Sequence, residues 1–206
     1  MSKSDYDFVQ PIVVRRSGLH EDIVKAAALA SVGAMITAPD HENWEEWLSG
    51  RFAKTVRRAR PAQFDRAAEY AVITVTCGDA EAHGLPPYPK DDLPEGVRKL
   101  QVSGLDVERG ENVVLPDDDL TVLVAVDAGL GLTTGKTAAQ VAHGLFRWFL
   151  GLEEVERNVW VSSGMPFGFL EVPTKEFTVM AETAQVVIRD AGFTEIAPGT
   201  ATVLVV

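Results

Sequence analysis

Lys136, Gln140, His143 and Arg147 lie in the run AVDAGLGLTTGKTAAQVAHGLFRWFL (Ala125–Leu150). Their spacing places them in one stripe along a single side of a helix. The remaining faces, Ala138, Ala139, Val141, Ala142, Leu145, Phe146, Phe149 and Leu150, are apolar. Such a helix is buried, and its polar stripe must face water, a partner or a site. Lys136 is either a solvated helix-start lysine or a working cation, and beside the positive end of the helix a cation is unfavourable. Backbone amides at the same helix start could help bind an anion.

The Gly-Lys-Thr of this run also invites comparison with a nucleotide-binding phosphate loop, which needs Gly, four residues, then Gly-Lys-Ser/Thr. The position that should hold the first glycine is Leu130, with Gly129 and Gly131 on either side. The spacing fails in both directions. A nucleotide-binding α/β domain stays as a weaker third option, one that predicts thermal stabilisation by ATP or GTP with magnesium.

The elements that position these residues occur twice. VVRRSGLHEDIVKAAALASVGAM aligns without a gap beneath VAVDAGLGLTTGKTAAQVAHGLF, placing Gly18 on Gly129, Leu19 on Leu130 and Lys25 on Lys136. Downstream, RFAKTVRRARPAQFDRAAEY and FGFLEVPTKEFTVMAETAQ each read as a strand, a proline suited to a first helical turn, then a helix. AVITVTCGDAEAHGLPP and AQVVIRDAGFTEIAPGT each read as a β-branched strand running into a Gly/Pro turn. Each half is thus a β-α-β-α-β-β unit, and the polar joint DVERGENVVLPDDDL predicts lobes at residues 1–118 and 119–206. In the first copy the stripe after Lys25 becomes Leu29, Val32 and Ile36. If one half carries a site, it is the second.

The formal charge of −11 argues against broad nucleic-acid binding but allows a local basic patch. RFAKTVRRAR (Arg51–Arg60) has five bases and no acid. It is either a solvated strand or helix face or a phosphate-contacting surface, with Arg57 and Arg58 as the candidate RNA contacts. The single Cys77 excludes an internal disulfide framework and suits a reducing compartment. The four histidines (His20, His41, His83 and His143) show no metal-ligand spacing. Trp44 and Trp47, three apart, are expected to pack on the core of the first half. The polar, acidic opening MSKSDYDFVQ is not a secretory signal. The longest apolar run falls short of the roughly 20 residues a spanning helix needs, so the expectation is a cytoplasmic protein with no membrane role.

Leu130, Gly135, Lys136, Ala138, Ala139, Gln140 and His143, followed by IRDAGFTEIAPGTATVLVV near the C-terminus, resemble the two signatures of the archaeal and eukaryotic type of peptidyl-tRNA hydrolase. The second signature is met by Asp190, Ala191, Gly192, Thr194, Ile196, Ala197, Pro198, Gly199, Thr200, Thr202, Val203 and Leu204. The resemblance covers about residues 119–206, and the first half only through the repeat. It implies an α/β fold of two tandem lobes, each a mixed β-sheet flanked by helices, forming a covalent pseudo-dimer in which the first lobe is a degenerate copy. It implies hydrolysis of the ester of peptidyl-tRNA or N-blocked aminoacyl-tRNA, with tRNA as substrate and no cofactor or metal. Lys136 then serves as the cation near the scissile ester or terminal phosphate. Asp190 orients or deprotonates water and holds Lys136, and Thr200 supplies a hydroxyl. Gln140, His143, Thr194 and Gly199 line the substrate groove.

Each residue also has a plainer role available. Asp190 could simply close a turn. His143, about 10.5 Å from Lys136 along the axis at ~1.5 Å per residue, could satisfy a core bond. The family's arginine and aspartate before the lysine are replaced by Asp127 and Gly129, its methionine by Leu132, and an arginine after Asp-Ala-Gly by Phe193. An acid in place of an arginine weakens contact with phosphate. The alternative is therefore a non-catalytic homologue that binds a protein or RNA partner through the same fold.

Overall fold

The structure is a computed structural model that describes residues 7–50, 53–110, 121–191 and 196–206. The chain divides into two compact units, Met1–Arg109 with Thr133–Ala142, and Gly110–Leu132 with His143–Val206.

In the first unit the elements are β1 (Phe8–Arg15), α1 (His20–Thr37), α2 (Asn43–Ser49), β2 (Ala53–Ala59), α3 (Pro61–Ala67), β3 (Ile73–Cys77), β4 (Ala80–Gly84), β5 (Tyr88–Pro89) and α4 (Glu95–Arg98). The sheet runs β2-β1-β4-β3, with β5 also pairing β1. β1 is parallel to β2 and antiparallel to β4. Its central residues are buried on both faces, which suits the apolar sequence of an interior strand. Pro11 lies inside this strand, where a missing N–H would normally break a ladder. It is tolerated because the antiparallel partners are β5 at Phe8 and Val9 and β4 from Ile12 onward, leaving residue 11 opposite neither.

Gln10 is a buried polar group at the centre of β1 and is fully used. Its Nε2 donates to the carbonyls of Ser31 (2.9 Å) and Leu85 (3.3 Å). Its Oε1 accepts from Ser31 Oγ (2.7 Å) and Lys54 Nζ (2.8 Å). Burial with every lone pair and proton satisfied is the condition for keeping an amide in a core. Trp44 and Trp47 are both buried, as their spacing predicts, and pack edge to face with centroids 5.4 Å apart. His83 stacks on Phe64 at 3.7 Å and bonds Thr74 Oγ1 and the Phe64 carbonyl, so it is a core histidine.

The second unit contains β6 (Val122–Asp127), α6 (Glu154–Ser162), β7 (Phe167–Val172), α7 (Thr174–Met180), β8 (Val186–Arg189) and β9 (Ala201–Val205). Helix α5 (Thr134–Gly151) is shared, with its residues through Ala142 grouped in the first unit. The sheet runs β7-β6-β9-β8. β6 is parallel to β7 and antiparallel to β9, and β8 is antiparallel to β9. This is the strand order of the first sheet, and the register agrees as well. In the first sheet Val13 pairs with Arg57 and His83, and His83 with Thr74. In the second, Val124 pairs with Phe169 and Val205, and Val205 with Val186. Both sheets are mixed and flanked by helices. The expected β-α-β-α-β-β order is present in each, with a short extra helix, α2 or α6, after the long one.

Gly33 and Gly144 occupy matching places in the two long helices. A Cβ on Gly33 would lie 2.7 Å from Ile73, and one on Gly144 would lie 2.9 Å from Val203. A methyl at either position would press on a side chain of the sheet beneath it. No helix among the described residues is long and apolar enough to cross a membrane.

Candidate active site

Helix α5 presents Lys136 and His143 half-buried and Arg147 exposed, while Gln140 is buried. The polar stripe expected from the spacing is thus present, with Gln140 turned furthest inward. The start of this helix is closed to outside anions. The Thr134 amide donates to Asp106 Oδ1 at 3.2 Å, and the Gly135 amide to the Leu105 carbonyl at 2.9 Å. The Lys136 amide donates to Thr133 Oγ1 at 3.4 Å, and the Thr137 amide to the Thr133 carbonyl at 2.9 Å. The expectation that these amides help bind an anion is corrected. Asp106 already supplies the negative charge that a helix N-terminus favours. The Gly-Lys-Thr run is therefore a capped helix start and not a phosphate cradle.

Thr134 is wholly buried and ties this start down further. Its hydroxyl bonds His20 Nδ1 at 3.0 Å and accepts the Val107 amide at 3.2 Å. The turn that carries Lys136 is thereby anchored through Thr134.

Asp190 and Thr200 are brought together by the backbone. The Asp190 amide donates to the Thr200 carbonyl at 2.9 Å, and the Gly199 amide to the Asp190 carbonyl at 2.7 Å. Asp190 follows directly on β8 and is buried. Ala197-Pro198-Gly199-Thr200 makes a tight turn, with the Thr200 amide reaching the Ala197 carbonyl at 3.3 Å and Gly199 at φ +81°. Proline second and a left-handed glycine third is the pattern a type II turn demands. The Thr200 hydroxyl donates to the Ala197 carbonyl at 2.8 Å, so it offers lone pairs rather than a hydrogen to a ligand. Thr194 and Phe193 lie outside the described residues.

The two departures before the lysine are explained by a third residue that sequence reading missed. Asp127 is buried, and its Oδ1 accepts from the Gly129 amide at 2.9 Å and from Thr174 Oγ1 at 2.7 Å. A Cβ on residue 129 would lie 2.1 Å from that hydroxyl. Asp127, Gly129 and Thr174 thus form one fitted set that joins the end of β6 to the start of α7. A threonine just after Pro173, at a helix start, was the available signal.

Arg57 and Arg58 point to opposite fates. Arg57 is 8% exposed, and its Nη1 donates to the carbonyls of Leu100 (3.1 Å), Val97 and Arg98 (both 3.4 Å). Arg58 is half-exposed, and its Nε donates to the Ser103 carbonyl at 2.9 Å. Arg51 of the same basic run lies outside the described residues.

In the first unit the counterpart lysine has a visible neighbourhood. Burial pushes the Cys77 thiol up, the Lys25 cation pulls it down, and Asp22 pushes it up again. Cys77 ends β3 and is followed by Gly78, as Arg189 ends β8 and is followed by Asp190. A Cβ on Gly78 would lie 2.3 Å from Asp22 Oδ2, in the first turn of α1. The end of the fourth-in-line strand therefore abuts the first turn of the long helix, within charge range of its lysine.

Residues 120–206 match the family model of peptidyl-tRNA hydrolase PTH2. The match begins just before β6 and runs to the end of the chain. It contains Lys136, Gln140, His143, Asp190, Gly199 and Thr200, and at the level of the family it supports peptidyl-tRNA hydrolase function with tRNA as the substrate. Residues before 120 lie outside the matched region.

Proposed function

We propose that this chain hydrolyses the ester joining a peptidyl or N-blocked aminoacyl group to the 3′ ribose of tRNA, with its site residues in the lobe 119–206. The observation that carries the reading is the family match over residues 120–206, which encloses the lysine, the aspartate and the threonine in their motifs. Lys136 is the cation that stabilises the oxyanion developing on the ester carbonyl. Asp190 orients the attacking water and takes its proton, and Thr200 Oγ1 accepts a hydrogen bond from the same water. Water adds to the carbonyl carbon, the bond to the ribose oxygen breaks, and the ribose leaves with the proton. Gln140, His143 and Gly199 are the residues assigned to the aminoacyl end of the substrate.

We further infer that residues 1–118 are a duplicated lobe carried as a tandem copy that lost the polar stripe. The shared strand order and the matching registers support this, as does a glycine facing the sheet at the same aligned place in each long helix, Gly33 and Gly144. The placing of Lys25 beside the β3 end supports the pairing of roles given to Lys136 and Asp190.

A second reading, a non-catalytic homologue that binds a protein or RNA partner, is favoured by one observation. Asp127 and Gly129 stand where the family carries arginine and aspartate. The two readings separate on release of N-acetyl-amino acid from charged tRNA at low salt, where phosphate contacts are strongest. Wild-type turnover, abolished in Lys136→Ala and in Asp190→Asn with folding retained, supports the hydrolase. A folded wild-type protein without turnover supports the binder.

A further inference from the structure

The chain carries 19 basic and 30 acidic residues. Against that balance, one cavity of about 380 Å³ in the first unit is lined by Arg16, Arg58, Arg60 and Lys99 with Gln63 and Gln101, and by no carboxylate. Arg16 follows the end of β1, and Arg58 and Arg60 flank the end of β2, its parallel neighbour. The cavity therefore sits outside the carboxyl ends of adjacent parallel strands, where open α/β sheets bind their ligands.

The wall is built rather than incidental. The Arg58 amide donates to the Gln101 carbonyl at 2.9 Å, and its guanidinium bonds both the Ser103 carbonyl and Gln101 Oε1. Gln63 Oε1 accepts the Arg60 amide at 3.0 Å, which leaves its Nε2 to donate. Lys99 pairs with Glu95, but both side chains are about 70% exposed, so that pair is solvated and readily exchanged. Arg16 and Arg60 are exposed and have no ion pair among the described residues. Four cations around one small space repel one another, and an anion bearing several oxygens removes that repulsion while using the arginine forks. The lining holds no aromatic ring, so a nucleobase would find nothing to stack on. The chemistry on offer is for phosphate and sugar.

We propose that this pocket docks the phosphate backbone of RNA, with Arg16 and Arg60 contacting the phosphates and Arg58, Gln63 and Lys99 shaping the site. The naming of RNA over a free polyphosphate rests on the tRNA reading above. In an acidic chain the pocket concentrates attraction at one place, so the RNA is held in a defined position instead of being bound broadly.

The test uses the full-length chain and uncharged, fluorescently labelled tRNA, so that its readout does not depend on ester hydrolysis. Affinity is measured by anisotropy across a potassium chloride series for wild type, Arg16→Ala/Arg60→Ala, Arg16→Lys/Arg60→Lys and Arg66→Ala. Arg66 is an exposed control whose Nε bonds the Ala62 carbonyl of its own helix. The alanine pair should bind about tenfold more weakly at moderate salt. Its slope of log affinity against log salt should be flatter by about 1 to 2, since each lost phosphate contact removes about 0.7 to 0.9. The lysine pair should keep most of the slope, and Arg66→Ala should match wild type. Alanine-pair affinity and slope equal to those of wild type would overturn the proposal, whether or not the wild type hydrolyses charged tRNA. Calorimetric binding of tripolyphosphate by a wild type that fails to bind tRNA would overturn it too, in favour of a free polyphosphate. Unchanged slopes with intact hydrolysis leave the enzyme reading standing and remove the pocket, while altered slopes without hydrolysis do the reverse.

Discussion

The Thr174 hydroxyl donates to Asp127 Oδ1 at 2.7 Å and sits where a Cβ on Gly129 would come within 2.1 Å. A threonine from one helix start thus dictates two residues at the end of a strand. Gly129→Ala should destabilise the fold by about 2 kcal/mol through overpacking. Thr174→Ala should cost about 1 kcal/mol through the lost hydrogen bond. The double variant should cost less than the sum, because removing the hydroxyl frees the space the new methyl needs. Denaturant midpoints for the four proteins measure this coupling; strict additivity would show that the two residues do not share that space.

Replacing Lys136 by alanine should lower the rate of N-acetyl-aminoacyl-tRNA hydrolysis by about 10²–10³-fold, the range for losing one group that stabilises an oxyanion. Asp190→Asn, which keeps the side-chain shape, should lower it comparably while leaving the melting temperature close to that of wild type. Single-turnover kinetics of the two variants and the double variant would show them acting as a unit, with the double no worse than the poorer single.

Lys54 is buried, with its Nζ 4.2 Å above the Trp47 ring and 2.8 Å from Gln10 Oε1. The ring favours the charged amine and burial opposes it. Burial dominates and holds the group well below its usual 10.5. The folded protein then binds fewer protons than the unfolded chain over the range between the lowered value and 10.5. Stability should therefore rise with pH through that window and be lowest beneath it. Cys77 and Tyr88, pushed up by burial from 9.0 and 10.0, contribute with the opposite sign above those values. The difference between wild type and Lys54→Met, followed by urea unfolding from pH 7 to 9, isolates the lysine. The gap in favour of Lys54→Met should narrow as pH rises, and a constant gap would exclude a depressed lysine.

Arg57 anchors the stretch at Val97, Arg98 and Leu100 through their carbonyls. Arg57→Ala should cost about 2 kcal/mol, since it leaves buried acceptors unpaired. Its effect on tRNA affinity should be small beside that of Arg16→Ala/Arg60→Ala. Thermal melts and the same anisotropy titration check both halves of the statement.

The periodicities that depend on local geometry were legible in the chain. The polar stripe on α5, the repeated order of strands and helices, and the inward packing of Trp44 and Trp47 all follow from spacings of 3.6 or 2 residues. The helix start was half legible. Gly-Lys-Thr could be refused as a phosphate loop on spacing alone, but its capping partners, Asp106 and Leu105, come from nearly 30 positions upstream. The same holds for Arg57 and Arg58, adjacent and alike in type, of which one is sunk into a cluster of carbonyls and the other lines a basic cavity.

What the amino-acid order alone determined is the set of elements, the order in which they recur, and which half carries the lysine together with the polar stripe, the aspartate and the threonine. What only the tertiary structure decided is the partner of each polar atom. That Asp127 meets Thr174, that Gln10 meets Lys54, and that four cations surround one cavity depends on sheet register and on how closely helices lie on sheets. Those distances are set by packing between segments far apart in the chain, which no local spacing encodes.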